Sequence, residues 1–218
     1  METKLKRYTL GEEVFNSVTH GVGSLLAVIG TVVLVVLSVV NDTTLGLASS
    51  LVYGIALIVL YTMSTVYHAI PFPKVKEILR IFDHASIFLL IAGTYTPYCL
   101  IALQGNRTAT WVVIAVWACA IIGIVLNAID LKKTEKLGIV LYVIMGWAII
   151  IVVKDVVAAL PSPAFWLLLL GGISYTGGIA FYAMKKKKFM HSIWHLFVLL
   201  GSVLHYLSIA IYVLPMSY

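Results

Sequence analysis

Long apolar segments recur along this chain, and they constrain its fold more than any other feature of the sequence. A helix needs about 20 apolar residues to cross a bilayer. Seven segments of roughly this length are present, at 19–40, 45–67, 81–103, 109–128, 137–158, 163–184 and 190–213. Hydrophobic residues make up 61% of the 218 residues and charged residues only 11%, which excludes a soluble globular domain. The sequence therefore predicts an all-α integral membrane protein with seven transmembrane helices in one domain, 1–218.

The basic residues predict how the chain is oriented. Thirteen of the fifteen lysines and arginines fall before the first segment or between segments two and three, four and five, and six and seven. Only Arg107 and Lys154 fall on the opposite side. Because cytoplasmic loops are enriched in Lys and Arg, we predict a cytoplasmic N-terminus and an outer C-terminus. The net charge of +6 is then explained by topology, and no basic–aromatic pattern indicates nucleic acid as a partner.

The residues before the first segment carry a helix signal of their own. Thr9-Leu10-Gly11-Glu12 has the spacing of a capping box, in which the Thr and Glu side chains each bond to the other residue's backbone N–H. A short cytoplasmic helix is therefore predicted over about 10–18, lying along the inner membrane surface.

Ionisable residues within the apolar segments share one depth. His68 ends the second segment, Asp83 starts the third, and His191 and His195 start the seventh, each close to a basic cluster. Histidines at i and i+4 lie on one helix face, and a histidine from another helix completes a set of three. Three protein ligands and an open position are typical of catalytic zinc, although imidazole also suits copper, iron and nickel. His68, His191 and His195 are the predicted metal ligands.

Two further residues are predicted to act beside the metal. The segment between His191 and His195 contains no acid, unlike the H-E-x-x-H motif, whose glutamate is the base. Asp83 is the carboxylate within a span at the right depth, so we assign it to hold or deprotonate a water activated by the metal. Ser64 lies four residues before His68, where its hydroxyl can bond the water or orient a ligand.

Other polar residues are given supporting roles. Glu13, Asn16 and His20 fall at i, i+3 and i+7, on one helix face, and are predicted to brace the site without binding the metal. His84 is expected to be exposed at the membrane interface, and His205 is expected to form a hydrogen bond between helices. The alternative to a metal site is a structural polar network, because paired histidines also hydrogen-bond across helices.

Four motifs carry a resemblance to a known family. They are "EVFNSVTH" (13–20), "STVYH" (64–68), "FDHASIFLLIAGTYTP" (82–97) and "HSIWH" (191–195). With these motifs in this order, the sequence resembles the hemolysin III family, the bacterial branch of the progestin and adipoQ receptor superfamily, which includes the adiponectin receptors. The resemblance implies a seven-helix fold with an inner N-terminus, in the bacterial plasma membrane. It also implies zinc held by the three histidines named above, with Asp83 near the bound water, and Ser64 matches a serine of the same family motif.

The resemblance implies two functions of different classes. Relatives in the superfamily look like membrane hydrolases of lipid amides, similar to alkaline ceramidases. The chain is therefore expected to cleave an amide or ester bond of a membrane lipid near the cytoplasmic leaflet. The alternative is a non-enzymatic receptor, regulator or pore-forming cytolysin in which zinc is structural. The family name implies the haemolytic, pore-forming activity among these.

Overall fold

The chain forms a bundle of helices joined by short turns. A computed structural model describes residues 8–184 and 186–217, in which no β-strand occurs. Four basic residues used above to predict the topology, Lys4, Lys6, Arg7 and Lys185, lie outside the described residues. The α-helices are α1 Leu10–Val40, α2 Thr44–Ala69, α3 Pro73–Pro97, α4 Arg107–Trp147, α5 Val153–Ala159, α6 Ser162–Ala183 and α7 Met190–Ser208. π-Helical turns extend α3 and α7, over Tyr98–Ala102 and Ile209–Val213, and 3-10 turns follow α4 and end α7, over Ala148–Val152 and Leu214–Ser217.

Six helical segments within the described residues are long and apolar enough to cross a membrane. They are Leu10–Val40, Thr44–Ala69, Pro73–Ala102, Arg107–Ala159, Ser162–Ala183 and Met190–Ser217. The fourth contains both predicted spans four and five. The all-α membrane fold is thus confirmed, whereas the predicted count of seven spans and the orientation of the termini are not confirmed.

The long helix α4 turns back on itself at Asp130. This residue has extended backbone angles, φ −158° and ψ 84°. Phe88 of α3 contacts both sides of the break: a Cβ on Gly123 would overlap its ring, and a Cβ on Gly138 would lie 3.9 Å from its Cζ. An uninterrupted helix would separate these two glycines by about 22 Å. The two halves of α4 therefore lie against the same part of α3.

The first helix begins where the capping box predicts. Thr9 Oγ1 accepts a hydrogen bond from Glu12 N (3.3 Å), and Glu12 Oε2 accepts one from Thr9 N (2.9 Å). The helix then runs unbroken to Val40, because no proline interrupts it. Residues 10–18 are therefore the first turns of α1, without a break between them and the first apolar segment.

Small and polar residues face the interior of the bundle, and large aliphatic residues face outward. The buried residues of α1 include Asn16, His20, Gly23, Ala27 and Gly30, whereas Val14, Val18, Val22, Leu25 and Ile29 are exposed. This arrangement is typical of helices that pack together within lipid. α1 packs against both α2 and α7, which brings the start of α7 beside the start of α1 and the end of α2.

Candidate metal centre

Three histidines converge at the end of the bundle where α1 and α7 begin. His68 lies in the last turn of α2, and His191 and His195 lie in the first two turns of α7. One ring nitrogen from each lies within 4.8 Å of the other two, and the Nε2 atoms of His191 and His195 are 3.1 Å apart. Two nitrogens that each lie about 2.0–2.1 Å from one tetrahedral ion are roughly 3.3 Å apart. The α7 rings are therefore arranged as two ligands of one ion would be.

The His68 ring is oriented by a carboxylate. Its Nδ1 donates a hydrogen bond to Glu13 Oε2 at 2.7 Å, which leaves Nε2 as the acceptor of the neutral ring. His68 Nε2 is buried and has no hydrogen-bond partner among the described residues. Histidines that bind metals typically donate their other N–H to a carboxylate or carbonyl. The orphaned nitrogen and the set of three imidazoles therefore fit a bound metal ion.

A lysine fixes the same carboxylate from its other side. Lys76 Nζ lies 2.9 Å from Glu13 Oε1 and donates to the backbone carbonyl of Tyr67 at 2.8 Å. Positive charge is favourable at the C-terminal end of a helix, where carbonyl groups lack partners within the helix. Lys76 thereby ties Glu13 to the end of α2 that carries His68.

The predicted bracing face of α1 contacts both helices that carry the histidines. Glu13 bonds to His68 of α2, as described. Asn16 Oδ1 accepts a hydrogen bond from Ser192 Oγ of α7 at 2.6 Å. The ring of His20 stacks on that of His195, with centroids 3.6 Å apart and planes 15° from parallel. All three residues lie where bracing side chains would lie, and their bracing role remains a prediction.

The sequence did not indicate two contacts near the cluster, which are made by Tyr8 just before α1 and by Phe189 just before α7. Tyr8 stacks on His191, with ring centroids 5.0 Å apart and planes 23° from parallel. Burial raises the pKa of the Tyr8 phenol, so the side chain is neutral near neutral pH. The backbone N–H of Phe189, which has a left-handed φ of 59°, donates to Glu12 Oε1 at 2.8 Å. These contacts join distant parts of the chain, so no local spacing could have predicted them.

A cavity of about 130 Å³ lies beside the histidines. Both predicted catalytic residues, Ser64 and Asp83, are in its lining together with His20, His191 and His195. Most of the remaining lining is aliphatic or aromatic and comes from α2, α3, α4, α6 and α7. The structure thus places Ser64 and Asp83 in the lining of one cavity together with two of the three predicted metal ligands. His68 is not in this lining, and the chemical roles of Ser64 and Asp83 remain predictions.

A second cavity, of about 230 Å³, meets the first at His84, Tyr182 and His191, which line both. Charged and phenolic side chains dominate this second lining. His84 Nδ1 lies 2.9 Å from the carbonyl oxygen of Arg80 and 3.5 Å from Asp83 Oδ2, and its Nε2 lies 3.2 Å from the Tyr182 hydroxyl. The His84 side chain is only 11% exposed. The expectation that His84 is exposed at the interface was wrong, because α6 supplies a side chain that covers it.

Sequence comparison identifies the family. A model of the family described as "Haemolysin-III related" matches residues 8–206. The chain belongs to this family. Hemolysin-3 of Bacillus cereus is 39% identical over 218 residues, which cover 99% of each chain. The Hemolysin-3 homolog of Bacillus subtilis (strain 168) is 41% identical over 205 residues, or 94% of this chain and 96% of the relative.

The similarity extends beyond bacteria. Monocyte to macrophage differentiation factor of Homo sapiens is 26% identical over 209 residues, which cover 92% of this chain and 84% of the relative. The family resemblance predicted from the motifs is confirmed. This haemolysin-III related protein is a multi-pass protein of the cell membrane, as its apolar helices also indicate.

Proposed function

We propose that this haemolysin-III related protein is a zinc-dependent hydrolase of lipid amide or ester bonds near the cytoplasmic leaflet. The observation that carries the proposal is the convergence of three histidine nitrogens beside an apolar cavity that has Asp83 in its lining. His68, His191 and His195 would hold the zinc. When bound, zinc polarises a carbonyl group and lowers the pKa of a water molecule.

The proton transfers are assigned to Asp83. A carboxylate in the cavity can accept a proton from the attacking water and return it to the departing amine or alcohol. The ring of His84 lies beside this carboxylate, with its Nδ1 3.5 Å from Asp83 Oδ2, while the Nδ1–H donates to the carbonyl oxygen of Arg80. The Ser64 hydroxyl, in the same lining, orients the substrate.

The two cavities support a lipid as the substrate. Aliphatic residues that line the first cavity, among them Leu60, Ile87, Leu90 and Val198, suit an acyl chain. Charged and phenolic residues that line the second, among them Arg80, Glu135 and Tyr182, suit a polar head group. His191 lines both cavities, so the scissile bond would lie at their junction.

We also propose seven spans and a cytoplasmic N-terminus. A single crossing by the 53 residues Arg107–Ala159 would extend about 80 Å, whereas the hydrocarbon core is about 30 Å thick. The turn at Asp130 supports two crossings in its place. Lys132 and Lys133, next to this turn, support a cytoplasmic position for it. The metal centre would then face the cytoplasm.

Zinc content and hydrolysis, measured on the same preparations, test the proposal. Wild type, Asp83→Asn and the double variant His191→Ala/His195→Ala would be purified in detergent without a histidine tag. We expect about one zinc per chain in wild type and in Asp83→Asn, and none in the double variant. Fatty acid release from a panel of acyl amides and acyl esters is expected from wild type alone. Unchanged turnover in Asp83→Asn would remove Asp83 from the mechanism, and folded wild type without metal would contradict the proposal.

The name of one relative favours a second candidate. Hemolysin-3 of Bacillus cereus is named as a hemolysin, so a pore-forming cytolysin, or a receptor or regulator with structural zinc, is the alternative. Structural zinc sites are closed by four protein ligands, and the group found among the described residues has three members. Leakage of dye from liposomes that survives His195→Ala would favour the pore over the hydrolase.

A further inference from the structure

We propose that the first cavity has a second polar end, at His205, which binds a hydroxyl group on the lipid chain. This inference rests on the proposed function and deepens it, because it names the class of acyl chain. The preferred chain would carry a hydrogen-bond donor near its middle.

The hydrogen bonding of His205 leaves one of its nitrogens without a partner. Its Nε2 lies 3.0 Å from the carbonyl oxygen of Leu168 on α6, which confirms the predicted bond between helices. A carbonyl oxygen only accepts, so Nε2 carries the proton and Nδ1 is the acceptor of the neutral ring. His205 is only 8% exposed, and its Nδ1 is buried without a partner among the described residues. Native structures rarely leave a buried acceptor unpaired.

Packing fixes which edge of the ring is available. A Cβ on Gly171 of α6 would overlap Cδ2 and Nε2 of His205, so this edge lies against the neighbouring helix. Nδ1 is on the opposite edge, and His205 belongs to the cavity lining. The Nδ1 edge is therefore clear of the α6 backbone, and a ligand in the cavity reaches Nδ1 once the side chains that cover it move aside.

Three hydroxyl-bearing residues of the lining, Thr94, Tyr175 and Thr176, already have protein partners. The hydroxyl of Thr94 donates to Leu90 O at 2.8 Å, and that of Thr176 donates to Gly172 O at 2.9 Å. The hydroxyl of Tyr175 is 2.7 Å from Ser202 Oγ. A ligand hydroxyl that entered this region would find His205 Nδ1 as an acceptor without a protein partner.

The distance between the two polar ends sets where the ligand hydroxyl must lie. His205 follows His195 by ten residues on α7, which corresponds to about 15 Å along the helix axis. A fatty acyl chain with its carboxyl group at the histidine cluster would pass His205 near the middle of the chain. Ricinoleate has its hydroxyl on the twelfth carbon, at a comparable distance in an extended chain, and oleate is the same molecule without that hydroxyl.

Binding of this matched pair tests the inference without requiring turnover. Trp147 and Trp194 line the cavity, so tryptophan fluorescence can report Kd in detergent solution. We expect wild type to bind ricinoleate about fivefold more tightly than oleate, as one net hydrogen bond would give. His205→Phe keeps a ring of similar size without the acceptor and should reduce the ratio to about one. His191→Ala, at the other end of the cavity, should weaken both ligands equally and keep the ratio.

Wild type alone can also decide the question if a variant fails to fold. The methyl ether of ricinoleate keeps the oxygen but lacks the donor, so it should bind no more tightly than oleate. Equal affinity for ricinoleate and oleate in wild type would overturn the inference and leave the acyl-chain site intact, with water as the partner of His205. Failure of both fatty acids to bind would contradict the acyl-chain site of the proposed function, and the inference with it.

Discussion

The two oxygens of the Glu13 carboxylate have different partners. Oε2 accepts the N–H of His68 at 2.7 Å, and Oε1 pairs with Lys76 at 2.9 Å. His68 is thereby held in the tautomer whose Nε2 can bind a metal. Glu13 is thus the residue outside the histidine cluster on which we expect metal affinity to depend most.

Glu13→Gln should weaken zinc binding by about 10- to 100-fold, the usual effect of losing such a partner. The amide is uncharged, so it no longer stabilises His68 and Lys76 together. Competition with a chelator of known affinity would give the Kd. Glu77→Gln is the matched control, because Glu77 pairs with Lys132 only at 4.0 Å and its side chain is 49% exposed, and such pairs contribute little. Equal losses in both variants would contradict a specific role for Glu13.

Most residues of the candidate site could be predicted because helical spacing and charge mark their face and depth. His191 and His195 are one turn apart on one helix, and His68 lies beside a basic cluster that marks the same membrane level. The positions of Tyr8 and His84 could not be predicted in this way, because they depend on contacts with other helices. Sequence spacing determines which face of a helix a residue occupies but not which neighbouring helix covers that face.

At the scale of elements, the sequence prediction and the structure differ in the connection between predicted spans four and five. The predicted spans leave a connection over about 129–136, and within α4 only Asp130 has non-helical backbone angles. Leu, Lys and Glu, which make up most of this segment, are good helix formers. Asp130 Oδ1 accepts a hydrogen bond from Lys133 N at 3.2 Å, as the cap of a new helix does. The helix therefore resumes at once after the turn.

Close packing of the first half of α4 against α3 leads to a stability prediction. A methyl group on Gly123 would overlap the ring of Phe88, which is fully buried. Gly123→Ala should therefore destabilise the protein by about 1–3 kcal/mol, the usual effect of overpacking, and lower its Tm in detergent. Gly146→Ala, in the second half of α4, is the control, because no atom lies within 4 Å of the added Cβ. It should be neutral or slightly stabilising, and a similar loss in both variants would contradict the packing argument.

Topology is a property of the whole molecule, and labelling of single cysteines can determine it. Cysteines at the exposed positions Gln104, Ser162 and Lys187 would be introduced after both native cysteines are replaced by alanine. With seven spans, an impermeant maleimide should label positions 104 and 162 in intact cells, and position 187 only after permeabilisation. A single crossing by the Arg107–Ala159 segment would instead expose position 187 outside and position 162 inside.

The membrane class of the whole molecule could be predicted because composition alone excludes a soluble fold. The arrangement of helices could not, because the outward faces of most spans are largely aliphatic and do not specify a neighbour. Residues such as Gly123 and Gly171, against which Phe88 and His205 pack, determine that arrangement. Their partners are known only once the chain is folded.

The packing of α1 against α2 and α7 has a consequence for biosynthesis. The site combines Glu13 and His68 with His191 and His195, which the ribosome makes later. A nascent chain that lacks α7 holds one of the three imidazoles and lacks Ser192, which donates to Asn16 Oδ1 in the folded protein. The cluster therefore forms only once α7 has been inserted beside α1 and α2, and an ion bound there would mark a chain in which these three helices have assembled.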